Sequence, residues 1–290
     1  MPVKGRNQSA QALNVHGRLF LIDCGEGTQY RMAEYRIPMM KLDSVFLSHI
    51  HGDHVFGIFG LLSTLGMKGR QTPLNIFAPP NFGPILKFFL SYYGDGLAFE
   101  IRFTPLKMKE PETSLETKGT LVQAFPLHHG IETFGFRFAE KEPPFNVHKD
   151  AIERYGLTLT EIGTLKRGED VYRADGSVIP AMEAAYKPFV PRSYAYCSDT
   201  APFPEEVAWL RGTTVLYHET TYQEEYADQG ALRGHSTTLQ AARTALEAGV
   251  QKLLIGHYSS RNSDIAAYEA ECRSVFPETF ATSDGDTYEI

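Results

Sequence analysis

The sequence predicts an α/β protein in which helices cover β-sheets. Short apolar runs of strand length recur along the chain, and longer segments with a helical pattern lie between them. This alternation holds in both halves of the chain and is typical of sheets that are covered by helices. The 290 residues, of which 42% are hydrophobic, suffice for one large domain with a packed core, which we place over residues 1–290.

The elements follow in chain order. The predicted strands cover residues 18–23, 44–48, 74–78, 99–104, 120–127, 133–139, 194–198, 214–218 and 252–256. The predicted helices cover residues 55–65, 81–93, a segment ending at about 248, and 264–276. We expect Asn81 to cap the second helix and Ser236 or Thr237 to cap the third, because short polar side chains accept hydrogen bonds from free N–H groups. Gly249 fits the left-handed position after the third helix.

Residues 143–191 differ in composition from the rest of the chain. They hold five prolines, and mixed charges run through residues 141–173. Loops and insertions of this composition usually lie on the surface of a domain. We therefore interpret residues 143–191 as an inserted surface arm rather than as a second core.

Composition argues against several classes of protein. No run approaches the ~20 apolar residues that span a bilayer, and the amino-terminal residues lack the pattern of a secretion signal. The three cysteines, Cys24, Cys197 and Cys272, have no metal-ligand spacing and are odd in number, which favours a reducing compartment. We expect a cytoplasmic location and no membrane partner. The net charge of −7 argues against a globally basic nucleic-acid binder.

The strongest chemical signal follows the second predicted strand. There, His49, His51, Asp53 and His54 place four potential metal ligands within six residues. Gly52 lets the turn tighten around them. Imidazole and carboxylate groups together suit Zn²⁺, and also Mn²⁺ or Fe²⁺. The alternative is a polar turn with incidental histidines, which a cluster of four ligands makes improbable.

Three later strands end in the same manner. His128 and His129 follow one of them, Asp199 follows another, and His257 follows a third. Sites in open α/β sheets lie at the carboxyl ends of strands, so these residues are expected to meet. Each signal is weak alone, and His257 alone could be structural. Taken with the first cluster, they predict one metal-binding site.

Several segments carry a resemblance to a known family. They are Asn7-Gln-Ser9, Asp23-Cys-Gly-Glu-Gly-Thr-Gln29, Ser48-His-Ile-His-Gly-Asp-His54, His129-Gly-Ile131, Gly135-Phe-Arg137, His218-Glu-Thr-Thr221, Gly234-His-Ser-Thr237 and Gly256-His-Tyr-Ser-Ser-Arg261. Their order resembles the metallo-β-lactamase superfamily and, more specifically, the ribonuclease Z family of tRNA 3′-processing endonucleases. The resemblance runs over nearly the whole chain. It implies an αββα sandwich with a dinuclear metal site at one edge.

The resemblance also implies which residues hold the metal. It predicts two Zn²⁺ ions per chain, with Mn²⁺ or another divalent ion as an alternative. Its motifs assign one ion to His49, His51 and His129, the other to Asp53, His54 and His257, and a bridging position to Asp199. His129 is preferred to its neighbour His128 because the matching motif places the ligand directly before glycine.

The catalytic groups are implied in the same way. Asp53 would bind metal and accept a proton from the nucleophile, and His235 would protonate the leaving oxygen. Glu219 would hold the other ring nitrogen of His235. The alternative is that His235 only caps or packs a helix. Ser259 and Arg261 could contact the scissile phosphate or form an ordinary polar turn.

The implied reaction is hydrolysis of the phosphodiester 3′ to the discriminator base of precursor tRNA, by a homodimer. Lys166 and Arg167 would contact tRNA from the arm; alternatively, the arm, which lacks the family's Gly-Pro dipeptide, is an insertion that supports dimer packing only. The first β-strand of the family is expected to be missing at the amino terminus. The alternative function is another metal-dependent hydrolase of this fold, such as an arylsulfatase or a cyclic-nucleotide phosphodiesterase.

Overall fold

The protein is described from a computed structural model that covers residues 5–261 and 264–290. The chain divides into two compact units. The first contains the chain up to Glu116, Leu121–Phe138 and the chain from Ser193 onward, and the second contains Thr117–Thr120 and Ala139–Arg192. The expectation of a missing first strand concerns the start of the chain, where residues 1–4 lie outside the described residues. No described helix combines the length and the apolar character needed to cross a membrane.

A five-stranded sheet forms the first half of unit one. Its strands, in spatial order, are β1 (Gln11–Val15), β2 (Arg18–Ile22), β3 (Leu42–Phe46), β4 (Leu74–Ala78) and β5 (Ile101–Pro105). The pairing of β1 with β2 is antiparallel, and the remaining pairs are parallel. Four helices accompany this sheet: α1 (Thr28–Glu34), α2 (Gly52–Val55), α3 (Gly57–Met67) and α4 (Phe82–Tyr93).

A seven-stranded sheet forms the second half of unit one. Its strands, in spatial order, are β16 (Thr279–Ala281), β15 (Lys252–Gly256), β14 (Val215–Glu219), β13 (Ser193–Cys197), β8 (Thr133–Glu140), β7 (Thr120–Leu127) and β6 (Glu112–Glu116). Strands β13 to β16 pair in parallel. The accompanying helices are α8 (Pro204–Leu210), α9 (Ala227–Arg233), α10 (Thr238–Ala248) and α11 (Ile265–Arg273).

The core lies in three layers, and the alternation of side chains along each strand assigns residues to them. Leu19 and Leu21 of β2 pack with the residues of α1, α3 and α4. Phe20, one position away, instead joins a cluster that contains residues of both sheets, because successive side chains of a strand point to opposite faces. In that middle layer Phe46 stacks on Phe77 with ring centroids 4.6 Å apart. The outer face of the second sheet packs against α8, α10 and α11. The predicted αββα sandwich is therefore confirmed.

The predicted helix over residues 55–65 is interrupted. The structure has two helices that meet at Phe56, because the backbone groups at the junction bond to other loops. The carbonyl of Asp53 accepts from Ser9 N at 3.1 Å, and Gly57 N donates to the carbonyl of Cys24 at 2.8 Å. The i to i−4 hydrogen bond from Gly57 to Asp53 is thereby replaced by two bonds that fix the turn before α3.

Helix caps follow the sequence in one case and not in another. Thr237, rather than Ser236, caps α10 through a capping box with Gln240, and Gly249 is left-handed with φ 66° as expected. Asn81, by contrast, does not cap α4: its backbone is already helical, and its side chain accepts no capping hydrogen bond. The elements β1, β6, β16, α1, α8 and α9, each of three to seven residues, have no counterpart among the predicted elements.

The second unit contains the segment that we predicted as an arm. Its helices are α5 (Lys149–Tyr155), α6 (Leu159–Lys166) and α7 (Ala181–Ala184). Two short antiparallel pairs complete it: β9 (Asn146–Val147) with β12 (Ala185–Tyr186), and β10 (Val171–Tyr172) with β11 (Val178–Ile179). Leu165 and Ala184 are fully buried in an apolar cluster made only of this unit's residues. The segment thus has a small core of its own, which the sequence analysis did not anticipate.

Candidate metal centre

The predicted metal-binding residues converge in the first unit, just beyond the carboxyl ends of β3, β7, β13 and β15. Two groups of side chains each place one ligand-type atom per residue within 4.8 Å of the others. The first group is His49, His51, His129 and Asp199. The second group is Asp53, His54 and His257. All seven predicted positions therefore fall in these two groups.

Asp199 lies between the two groups and presents one oxygen to each. Its Oδ2 atom is 3.7 Å from His49 Nε2 and 3.9 Å from His129 Nε2. Its Oδ1 atom is 3.6 Å from His54 Nε2 and 3.3 Å from His257 Nε2. Two atoms that bind one tetrahedral ion at ~2.1 Å lie ~3.4 Å apart, so these separations suit shared coordination better than direct hydrogen bonds.

Two buried atoms at the centre of the cluster test whether a cation fits. Within the described ranges, His54 Nε2 and Asp199 Oδ1 have no hydrogen-bond partner. A buried polar atom left unsatisfied costs about 1–3 kcal/mol, and a cation between these two atoms would satisfy both. Imidazole and carboxylate donors are those that Zn²⁺ and similar ions prefer. The fold and these clusters therefore suit a divalent metal.

Neighbouring groups fix which nitrogen of two histidines faces the cluster. His129 Nδ1 donates to the carbonyl of Gly234 at 2.8 Å. His54 Nδ1 donates to Asp23 Oδ2 at 2.7 Å. In the neutral ring, the proton on Nδ1 leaves the lone pair of Nε2 free, and that atom is the one directed at Asp199 in both residues.

Two hydroxyl groups orient His49 and His257 in the same way, and the role of neither was predicted from the sequence. Ser48 Oγ donates to Asp23 Oδ2 at 3.0 Å and so can accept from His49 Nδ1 at 2.9 Å. Thr221 Oγ1 donates to a carboxylate at 2.6 Å and can accept from His257 Nδ1 at 2.9 Å. Both residues stand within motif segments named above, Ser48 at the start of the metal loop and Thr221 at the end of the His-Glu-Thr-Thr segment, but neither was assigned a role.

His51 is oriented differently from the other four histidines. Its Nδ1 atom, rather than Nε2, faces the cluster, at 3.0 Å from His49 Nε2 and 3.4 Å from His129 Nε2. Three imidazole nitrogens therefore converge on one point beside Asp199. Lone pairs in such proximity repel one another unless a proton or a cation lies between them.

Asp23 organises the support beneath the cluster. Besides His54 and Ser48 Oγ, its carboxylate accepts from Ser48 N at 2.8 Å and from Tyr196 OH at 2.6 Å. Its backbone is left-handed, with φ 57°, and so is that of His257, with φ 60°. Non-glycine residues adopt this conformation at a cost, and it recurs at functional sites where the surroundings hold it in place.

Asp23→Asn should weaken metal binding by about 10–100-fold. An amide has only one oxygen that accepts hydrogen bonds, so it cannot keep all those that the Asp23 carboxylate accepts, including the one that orients His54. The measurement is competition for Zn²⁺ against a chelator of known affinity. Asp43→Asn is the matched control, since Asp43 lies in β3 and its carboxylate contacts Arg18 and Ser44 Oγ, neither of which belongs to the metal centre. Equal affinities for the Asp23→Asn variant and the wild type would contradict this supporting role.

The side chains of the cluster differ in charge. Burial lowers the pKa of His49, assisted by the neighbouring histidines, so this ring is neutral. Burial also acts to lower the pKa of His54, but Asp199 and Asp23 outweigh it and raise the pKa to about 9. The neighbouring His257, whose Nε2 lies 3.9 Å from Asp53 Oδ2, lowers the pKa of Asp53, which is ionised. A metal ion therefore competes with a proton at His54 and binds more tightly as the pH rises.

His235 and Glu219 form a buried pair beside the cluster. His235 Nδ1 donates to Glu219 Oε1 at 2.9 Å, and the same oxygen accepts from Ser236 N at 2.9 Å. Burial opposes protonation of His235, yet the Glu219 carboxylate outweighs it and raises the pKa. Atoms of His235, Asp199 and His257 also lie within 4.8 Å of one another. His235 therefore lies beside the cluster, next to Asp199 and His257.

Two other motif histidines lie outside both groups. The ring of His128 stacks on Phe203 with centroids 4.1 Å apart. His218 is fully buried, where its Nδ1 donates to the carbonyl of Glu219 at 2.7 Å and its Nε2 lies 3.2 Å from Glu206 Oε1. His218 therefore supports the end of β14 and does not face the metal centre.

Comparison with known proteins shows which family contains this arrangement. The chain is 39% identical to ribonuclease Z of Cytophaga hutchinsonii over 290 residues, which cover 100% of this chain and 92% of that one. It is 37% identical to ribonuclease Z of Bacteroides fragilis over 279 residues, 96% and 92% of the two chains. The chain belongs to the ribonuclease Z family. A family model described as Anti-Pycsar protein Apyc1 also matches residues 3–140.

Solved structures agree with this fold. The short form of human tRNase Z superposes with a TM-score of 0.69 at 21% identity, covering 98% of this chain and 93% of that one. The metallo-β-lactamase fold protein YhfI from Bacillus subtilis gives a TM-score of 0.69 at 20% identity, covering 99% and 94%. This member of the ribonuclease Z family thus has the metallo-β-lactamase fold that the motifs predicted.

The predicted substrate contacts of this ribonuclease Z family member are divided between the first unit and the second unit. Ser259 and Arg261 follow His257 in one loop, where Ser259 Oγ accepts from Arg261 N at 3.3 Å. Lys166 and Arg167 lie at the end of α6 in the second unit. Arg167 is engaged by Glu169 at 2.8 Å, an exposed ion pair that contributes little to stability.

Proposed function

We propose that this chain is a metal-dependent endoribonuclease that hydrolyses the phosphodiester 3′ to the discriminator base of precursor tRNA. The observation that carries the proposal is the complete set of histidines and carboxylates around Asp199 in a member of the ribonuclease Z family. The same fold occurs in a solved tRNase Z. The reaction removes the 3′ trailer and leaves the discriminator nucleotide at the 3′ end of the tRNA.

We propose two Zn²⁺ ions per chain, with Mn²⁺ as a possible substitute. The two oxygens of Asp199, each directed at a different group of histidines, support this number. One ion would be held by His49, His51 and His129, the other by Asp53, His54 and His257, and Asp199 would bridge them. Bound divalent ions would supply Lewis acidity, which lowers the pKa of an attacking water and neutralises charge on the phosphate.

Asp53 is proposed to take the proton of the attacking water. Its side chain is 45% exposed, so it borders the solvent that supplies the water. The neighbouring His257 lowers its pKa, so the carboxylate is ionised and can accept a hydrogen bond from that water. Its oxygen lies 3.9 Å from both His54 Nε2 and His257 Nε2, which holds it at the edge of the cluster.

His235 is proposed to protonate the leaving 3′ oxygen. The bond from its Nδ1 to Glu219 fixes the ring and leaves the Nε2 proton to face the site. Glu219 raises the pKa of His235, which favours the protonated ring that a general acid requires. A positioned general acid contributes about 10²–10⁴-fold to such a reaction.

We further propose a cytoplasmic homodimer. All three cysteines are buried and free, which supports a reducing compartment. Phe88 and Tyr92 on α4 are 66% and 71% exposed, and this apolar face is one that a second copy could cover. For the second unit, Lys166 and Arg167 at the end of α6 are the proposed tRNA contacts.

The proposed function is tested with a precursor tRNA that carries a 3′ trailer. Purified protein supplied with Zn²⁺ or Mn²⁺ should make one cut, directly after the discriminator base, and a chelator should stop it. An unstructured RNA with the same trailer sequence is the control and should be cut far more slowly. If the precursor stays intact while small phosphodiesters are hydrolysed, the chain is another metal-dependent hydrolase of this fold.

A further inference from the structure

A cleft of about 650 Å³ opens beside the metal centre in the first unit. One wall is the loop of residues 127–132 that follows β7, and the other is residues 232–234 at the end of α9. His129 and Gly234 line the cleft from opposite walls and are joined by the hydrogen bond described above. The cleft is therefore continuous with the cluster, although none of the functions assigned so far uses it.

His128 gives this cleft a rigid aromatic surface. Its backbone is fixed on both sides, since its N–H donates to Thr200 Oγ1 at 3.0 Å and its carbonyl accepts from Ala201 N at 2.7 Å. One face of the exposed ring is covered by the buried Phe203, with an interplanar angle of 15°. The remaining surface of the ring is thus available to a planar group that enters the cleft.

Arg233 adds a positive charge to the opposite wall. Its guanidinium donates to Tyr222 OH at 3.2 Å. Arg233 forms no ion pair among residues 5–261 and 264–290, although Glu132 lines the facing wall of the cleft. The neighbouring Leu232 is 86% exposed. An aromatic ring, an apolar rim and an arginine without a carboxylate partner together suit a nucleotide, whose base stacks and whose phosphate attracts the cation.

We propose that this cleft binds the nucleotide whose 3′ oxygen leaves in the reaction, with its base on His128 and a phosphate near Arg233. The inference rests on the proposed function. The position follows from the chain, because Gly234 precedes His235, the group that faces the leaving oxygen. In precursor tRNA this nucleotide carries the discriminator base. The cleft would therefore bind that base by stacking, whichever of the four bases it is.

The test combines a change in the protein with a change in the substrate. His128→Ala should lower kcat/KM on an intact precursor tRNA by about tenfold, the typical effect of losing one base–aromatic stack. On a precursor with an abasic discriminator position, the same variant and the wild type should cleave at nearly equal rates. His128→Phe, which keeps a flat ring on Phe203, should restore cleavage of the intact substrate.

Arginine variants supply the second arm of this test. Arg233→Ala should raise KM for the precursor, whereas Arg243→Ala, an exposed arginine of α10 in the same unit, should leave it unchanged. Circular dichroism and thermal melting of each variant show that it is folded.

The outcomes separate this inference from the function on which it rests. A wild-type protein that does not cut the intact precursor overturns the proposed function and the inference together. Cleavage with equal losses for His128→Ala on intact and abasic substrates overturns the inference alone. The inference is also wrong if the effect of His128→Ala vanishes only when the abasic position is the first trailer nucleotide.

Discussion

His54→Ala is expected to remove most of the bound metal and to lower precursor cleavage by about 10³-fold. His54 is fully buried, and its Nε2 atom faces both Asp199 and Asp53. Alanine removes one of the proposed ligands and leaves the Asp23 carboxylate without its imidazole partner. Metal content per chain, measured by mass spectrometry after dialysis, and single-turnover cleavage are the two measurements.

A second histidine outside the cluster is the control for this variant. His148, whose ring lies tilted against Tyr186 in the second unit with centroids 4.7 Å apart, should be replaceable by alanine with full metal content. Thermal melting with and without Zn²⁺ distinguishes a lost ligand from a lost fold, because His54→Ala should melt cooperatively but gain little stability from metal. Full activity in His54→Ala would exclude His54 as a ligand.

His235→Ala should lower kcat on precursor tRNA by about 10²–10⁴-fold while metal content stays unchanged. The leaving 3′ oxygen is strongly basic and needs a proton, whereas the nitrophenolate released by bis(4-nitrophenyl) phosphate does not. The loss should therefore shrink to a few-fold on that small diester. Equal losses on both substrates would show that His235 supports the structure and does not donate a proton.

The pH profile gives an independent measurement of the same pair. A general acid acts only while it is protonated, so cleavage should fall as the pH rises through the pKa of His235. Glu219 raises that pKa, and Glu219→Gln removes the negative charge that does so. The alkaline limb of kcat should therefore move to lower pH in Glu219→Gln. An unmoved limb in a folded variant would assign the titration to another group.

The parts of the fold and site that sequence could predict share a physical cause, which is local encoding. His49, His51, Asp53 and His54 stand within six residues, so their convergence needs only a tight turn. The strands follow from runs of apolar residues, and the Thr237 cap follows from its own capping box. The αββα layering, by contrast, was implied by the resemblance to the family. The convergence of distant residues such as Asp199 rested on the family's motif order as well as on strand ends.

The parts that sequence could not predict depend on contacts between distant segments. Ser48 and Thr221 orient histidines through hydroxyl groups, and serine or threonine at such positions has no distinctive pattern. The break at Phe56 arises because Gly57 bonds to the carbonyl of Cys24. Asn81 is a frequent capping residue, yet here its backbone is already helical and the cap does not form.

The order in which the chain is synthesised gives the shared position of Asp199 a further consequence. The cluster draws on Asp23 early in the chain and on His257, which β15 carries into the sheet only after most residues have been made. A nascent chain that ends before β15 has one side of Asp199 without His257. The full set of seven predicted ligands is therefore assembled only after β15 has joined the sheet.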